Sequence, residues 1–203
     1  MPDLDLLLAF VWFAFVGAMT PGPNNIMLTA SGTNFGFRRS LPHMAGIAVG
    51  FPVMVLAVGL GLSPLLERYD RLHDLLRAGC LVFLLYLAWK IATAAPPETV
   101  PSRRRKPKPL SFLAAAGFQW INPKAWAVAT GAVAGFTVSG EPMAPQVLLL
   151  AGIFLAISAL STASWAGFGT VIGRWLTGRY RTPFNAAMAL LLLLSMAPVL
   201  LAF

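Results

Sequence analysis

Acidic side chains are few in this chain, and none falls in the middle of an apolar run. Asp3, Asp5, Glu67, Asp70, Asp74, Glu98 and Glu141 are all there are, and each reads as a terminal, loop or span-end position. A buried carboxylate that could ferry a proton is therefore missing. Cysteine is scarcer still. Cys80 stands alone in an apolar run, which excludes an intrachain disulfide and makes it most simply a small buried residue. One cysteine, two distant histidines (His43 and His73) and no core carboxylate do not make a transition-metal ligand set, so no metal is expected. No nucleophile, base and acid fall together as an intramembrane hydrolase needs, so neither enzyme activity nor a cofactor is expected. Charge of any sign is thin: 11% of residues, against about 25% in soluble domains.

What fills the chain instead is apolar. Hydrophobic residues make up 58% of the sequence, and the mean hydropathy is +0.74. A bilayer core of about 30 Å takes about 20 apolar residues as helix. Six candidate spans result: 5–33, 41–63, 72–94, 110–136, 145–172 and 183–203. The N-terminus, Met1-Pro2-Asp3-Leu4-Asp5, has no basic stretch ahead of its apolar run, so a cleaved signal peptide is not expected.

The net charge of +8 is distributed by topology rather than as a nucleic-acid surface. Arg103, Arg104, Arg105, Lys106 and Lys108 crowd one short loop between apolar spans. Arg38 and Arg39 sit in the first loop, Lys90 near the end of span three, and Arg174, Arg179 and Arg181 in the fifth loop. The loop between spans two and three mixes Arg68, Arg71 and Arg77 with acids, and the fourth loop has no basic residue. Basic loops stay in the cytoplasm, so both termini are expected outside. The Pro-rich, charged segment 96–109 forbids a packed helix and reads as a linker. It separates a first three-helix unit, 1–95, from a second, 110–203. An odd number of spans per half inverts the second half, the geometry of inverted-repeat transporters.

Two breaks fall inside these spans. Thr20-Pro21-Gly22-Pro23-Asn24-Asn25 interrupts the first, and Gln119-Trp120-Ile121-Asn122-Pro123-Lys124 the fourth. Proline removes a backbone donor and clashes with the preceding turn. In lipid the freed carbonyls have no water, so such a break survives only in protein or against a polar cavity. Gly17 and Pro23 are echoed one hundred residues on by Gly117 and Pro123, and both prolines abut asparagine. At the first break, half-helix amides near Gly22 suit an anion, with Asn24 or Asn25 capping the half-helix or binding the ligand. At the second, Lys124 is the one basic residue well inside a span. It reads as a partner for a substrate carboxylate or as a coupling group; the alternative is a side chain snorkelling to the interface while Asn122 helps fold a half-helix. His43 is the other coupling candidate, since imidazole titrates near neutral pH, and its plainer reading is an interfacial histidine. Ser158, Ser161, Thr162, Ser164 and Trp165 form a hydroxyl cluster beside an indole. Of these, Ser161, Ser164 and Trp165 join the expected binding set. Gly46-x-x-x-Gly50, Gly131-x-x-x-Gly135 and Gly169-x-x-x-Gly173 read as close helix contacts.

At these residues a resemblance enters. Ala18-Met19-Thr20-Pro21-Gly22-Pro23-Asn24-Asn25, Gly36-Phe37-Arg38-Arg39, Ala45-Gly46, Leu87-Ala88-Trp89-Lys90-Ile91-Ala92 and Phe118-Gln119-Trp120-Ile121-Asn122-Pro123-Lys124 resemble the LysE/RhtB family of bacterial amino-acid exporters, the wording being most similar to the cysteine/O-acetylserine branch. The resemblance covers essentially the whole chain. It implies an all-α, six-span protein of the bacterial inner membrane that exports a small amino acid or derivative, works as a homodimer and is driven by protons. Some relatives carry acids within spans where this chain has none. A passive small-solute channel and a non-transporting membrane assembly subunit are the alternatives.

Overall fold

The computed structural model describes residues 4–62, 70–94, 108–138, 140–176 and 178–195, and every element among them is helical. The first expected span is two helices, α1 (Leu4–Met19) and α2 (Pro23–Phe35), meeting at 54°. Pro23 opens α2, where its missing N–H would have found no partner anyway and its fixed φ suits a helix. Gly36, at φ +79°, turns the chain into α3 (Phe37–Ala57); a side chain there would be strained. A π-helical turn, Val58–Leu62, continues α3. After α4 (Asp70–Ala92) the fourth expected span is again two pieces, α5 (Phe112–Gln119) and α6 (Pro123–Phe136). The 33-residue α7 (Met143–Trp175) and α8 (Gly178–Leu194) complete the series.

Among the described residues, two helices are each long and apolar enough to cross a membrane, Phe37–Gly61 and Met143–Trp175, and the bent pair α1–α2, taken as one span, makes a third. The protein is thus an all-helical, multi-pass membrane protein. The linker expected over 96–109 lies outside the described residues except for Lys108 and Pro109. So do the loop carrying Glu67 and Arg68 and the last part of the sixth expected span.

The spine of the fold is α7, which packs along α2 and α3 and also touches α1 and α6. Every residue of α2 from Asn25 to Thr33 is buried. Apolar matching alone does not hold helices together in lipid, so close backbone approach carries more weight. A Cβ on Gly169 would lie 2.1 Å from the Thr29 carbonyl oxygen, and one on Gly32 would lie 2.2 Å from that of Ala166. Gly46 and Gly50 do the same for α3 against Phe112 and Ala116 of α5. The third expected pair differs. Nothing lies within 4 Å of a Cβ on Gly135, and Gly131 meets only the Phe13 ring at 3.7 Å. Phe10, Phe51 and Phe154 meet edge to face where α1, α3 and α7 converge. α4 and α8 pair on the outside, tied to α2 by the amides of Asn34 and Asn185.

Candidate functional site

The geometry begins with a backbone account of the two breaks, because each buried carbonyl must find a donor. Asn25 donates through Nδ2 to the carbonyls of Ala18 and Thr20, both at 2.9 Å. Ser161 of α7 gives Ala18 a second bond at 2.8 Å. Lys124 reaches from α6 to donate through Nζ to the carbonyl of Thr20 at 2.5 Å, with that of Pro21 at 3.5 Å. The second break closes differently. Asn122 caps α6 by accepting from the Lys124 amide at 3.1 Å, and the Trp126 indole donates to the Trp120 carbonyl at 2.8 Å. Asn122 therefore folds the half-helix, whereas Asn24 and Asn25 do not cap α2. Asn25 points back to finish α1, where the break leaves the Ala18 and Thr20 carbonyls in need of a donor. The N-terminus of α2 has no side-chain cap, so its first amides take no bond from a capping side chain.

The two breaks, a hundred residues apart in sequence, are joined by an amide pair. Asn24 Nδ2 donates to Gln119 Oε1 at 2.8 Å, and Gln119 Nε2 donates to Asn24 Oδ1 at 3.2 Å. Gln119 is wholly buried and also donates to the Ala115 carbonyl at 2.9 Å. Around this pair lies an open-sided cleft. Its polar wall is Asn24, Asn25, Gln119, Asn122, Lys124, Ser158, Ser161 and Thr162; its apolar wall is Ile47, Phe51, Phe154, Ala125 and Val128. No carboxylate among the described residues lines it.

Of the residues expected at the site, Gly22, Asn24, Asn25, Gln119, Asn122, Lys124 and Ser161 converge on this cleft. Thr20, Pro21, Pro23 and Pro123 shape the breaks without lining it. Ser164 is exposed, and its hydroxyl donates to the Leu160 carbonyl of its own helix. Trp165 packs beside Leu28, Met44 and Ile47 and stacks edge-on against Phe168. The set missed Ser158 and Thr162. Helical spacing offered the signal, because 154, 158, 161 and 162 share one face of α7 and 164 does not. His43 does not lie at an exposed interface. It is 2% exposed, inside the fold, away from this cleft.

Removing the double donor at the first break should be costly. Asn25→Ala is expected to lower stability by about 1–3 kcal/mol, since two carbonyls lose a buried partner. The thermal midpoint of the purified protein in detergent measures this. An unchanged midpoint would mean that Ser161 and Lys124 satisfy those carbonyls without Asn25.

Helices with paired proline breaks that converge on a polar cleft are the architecture of a membrane transport protein. Comparison with known families agrees. The model of the LysE type translocator family matches residues 15–202, and the chain belongs to that family. It is 34% identical over 188 residues to the cysteine/O-acetylserine efflux protein of Escherichia coli (strain K12), spanning 92% of this chain and 93% of the relative. The protein of the same description from Escherichia coli O139:H28 is 33% identical over 189 residues, 93% and 94% of the two chains. That of Shigella sonnei (strain Ss046) is 34% identical over 188 residues, 92% and 93%. No solved structure matches the chain.

Proposed function

We propose that this protein is a secondary exporter of a small amino acid or derivative, of the cysteine/O-acetylserine or homoserine/threonine kind. In this reading it works by alternating access across the bacterial inner membrane, coupled to the proton gradient. The observation that carries the reading is the convergence of both breaks on one polar cleft. Six spans form two inverted halves, 1–95 and 110–203, with both termini outside and the basic segment 96–109 in the cytoplasm; two copies associate. Rocking of one half against the other then opens the shared cleft to each side in turn. The pairing of α3 with α7 and of α4 with α8 supports this, since both join corresponding helices of the two halves.

Within the cleft, Asn24, Asn25 and the uncapped α2 amides near Gly22 hold one end of the zwitterion, and Asn122 and Lys124 serve the carboxylate. Gln119 keeps Asn24 in place, Ser161 steadies the Ala18 turn, and Phe51 and Phe154 face the cargo side chain. Partial positive charge at a helix start favours an anion. Lys124 adds a full charge while its bond to Thr20 ties the halves together.

The test is efflux from loaded proteoliposomes with and without an imposed pH gradient, screening cysteine, O-acetylserine, homoserine, threonine, leucine and lysine. Saturable efflux of one group, faster with the gradient, is expected. Efflux that never saturates and ignores the gradient would instead describe a channel. In the same assay Lys124→Ala is expected to lose transport; unchanged rate and pH dependence would reduce Lys124 to a structural tie.

A further inference from the structure

Among the described residues, the buried side-chain nitrogens and oxygens without a hydrogen-bond partner are both ring nitrogens of His43 and the indole nitrogen of Trp165. His43 is the more informative, because it also lines a second cleft. That cleft runs between α2, the start of α3, the end of α4 and residues 108–110. The neighbouring polar groups are already satisfied. Ser31 and Ser40 bond each other at 2.8 Å, and Asn34 donates to Ala30 and to Asn185. His43 therefore has nothing to bond to in this conformation, and a buried polar group left so is a standing cost.

Among the described residues, the charges lining this cleft are of one sign. Lys90 comes from α4 and Lys108 from the segment before α5, both exposed, and no carboxylate among the described residues lines the wall. Lys90 rests its ammonium 5.8 Å from the centre of the Tyr86 ring, a contact that leaves its donors open to an anion. The position is equally specific. His43 and Ile47 stand one turn apart on the buried face of α3, and Ile47 lines the central cleft. Likewise α2 lends Asn24 and Asn25 to the central cleft and Met27, Ser31 and Asn34 to the second. The two clefts follow one another along the groove between α2 and α3.

We infer that the second cleft is an anion-binding loading site, in which Lys90 and Lys108 capture the carboxylate of the cargo and His43 gains its missing hydrogen bond, one helical turn before the central cleft. The anion-binding part stands on this geometry alone, and the loading role rests on the exporter reading. The chemistry recognised is an anionic oxygen group; the cargo carboxylate and the phosphate of an anionic lipid both carry one, and the experiment separates them.

The sequence supplies a clean probe, since His43 and His73 are its two histidines. In a His73→Gln background, with ¹⁵N-labelled imidazole and the full chain in phosphatidylcholine nanodiscs, His43 is the sole ring signal. Titration with sodium acetate against matched sodium chloride is expected to shift it saturably. The shift should persist in Asn24→Ala, which alters the central cleft alone. Lys90→Gln combined with Lys108→Gln should weaken half-saturation about tenfold. No acetate-specific shift, or a shift indifferent to both lysines, would overturn the site. A shift produced by phosphatidylglycerol in the nanodisc, with no response to acetate, would give the cleft to lipid and overturn the loading role. Failure of the exporter reading is separately visible: proteoliposomes would release no amino acid while the acetate shift remained.

Discussion

Gly169→Val is expected to leave little folded protein. At this position the added Cβ would start 2.1 Å from the Thr29 carbonyl oxygen, which belongs to backbone and not to the end of a flexible side chain. Neither helix can yield cheaply. α2 is buried along most of its length, and α7 is held by Gly173 against Thr33 one turn further on, where a Cβ would lie 2.7 Å from the carbonyl oxygen. Overpacking a well-filled core costs about 1–3 kcal/mol, and forcing two backbones apart along a crossing belongs at or beyond the top of that range. Separation also breaks the bond from Thr33 to the Gly169 carbonyl at 2.8 Å. Gly167→Ala is the matched control, since nothing lies within 4 Å of a Cβ there. Fluorescence-detected gel filtration of both variants after a heating series decides the matter. A Gly169→Val protein that ran as a single peak with an unshifted midpoint would refute the close crossing.

The second large effect belongs to the amide pair. Asn24→Ala should reduce efflux to background while the protein still inserts, because this residue both faces the cleft and holds Gln119 across it. Gln119 then loses a partner in a fully buried setting, which costs about 1–3 kcal/mol. Gln119→Leu alone strands Asn24 in the same way. Removing both members abolishes the mutual requirement, so the double variant should be more stable than the two single losses added together. A coupling of about 0.5–3 kcal/mol is the size such a cycle gives for groups in direct contact. The stability cycle and the transport assay separate two roles. Recovered stability without recovered efflux places Asn24 in cargo binding, whereas wild-type efflux from Asn24→Ala removes it from the site.

The positions of the breaks were readable from local chemistry. Proline removes a backbone donor and crowds the preceding turn, so Pro21, Pro23 and Pro123, clustered with glycine and asparagine, mark α1–α2 and α5–α6. Proline alone does not suffice, since α3 continues through Pro42 and Pro52 and α8 through Pro183. The glycine pairs were readable only in part. Gly169-x-x-x-Gly173 and Gly131-x-x-x-Gly135 are the same pattern, yet the first faces the backbone of α2 and the second faces almost nothing. Spacing describes one helix face, and a close crossing needs two. The hydroxyl cluster erred in the same direction. Ser164 was grouped with Ser161 by nearness in sequence, while helical periodicity sends Ser164 outward and brings Ser158 and Thr162 to the cleft. His43 read most simply as an interfacial side chain because it stands near the start of its span. The α2–α3 turn at Gly36 folds α2 over it and buries it.

The sequence by itself determined that this is a helical membrane protein and where α1–α2 and α5–α6 break. These properties are local, set by hydropathy, by the proline ring and by composition. Tertiary structure alone decided that Asn24 meets Gln119, that Lys124 spends its charge on the Thr20 carbonyl, and that His43 is enclosed without a partner. Each of these depends on which faces two distant helices present to one another. That choice is made by the packing of α7 against α2 and α3 and by the need of every freed carbonyl for a donor, and neither leaves a mark at a single position in the chain.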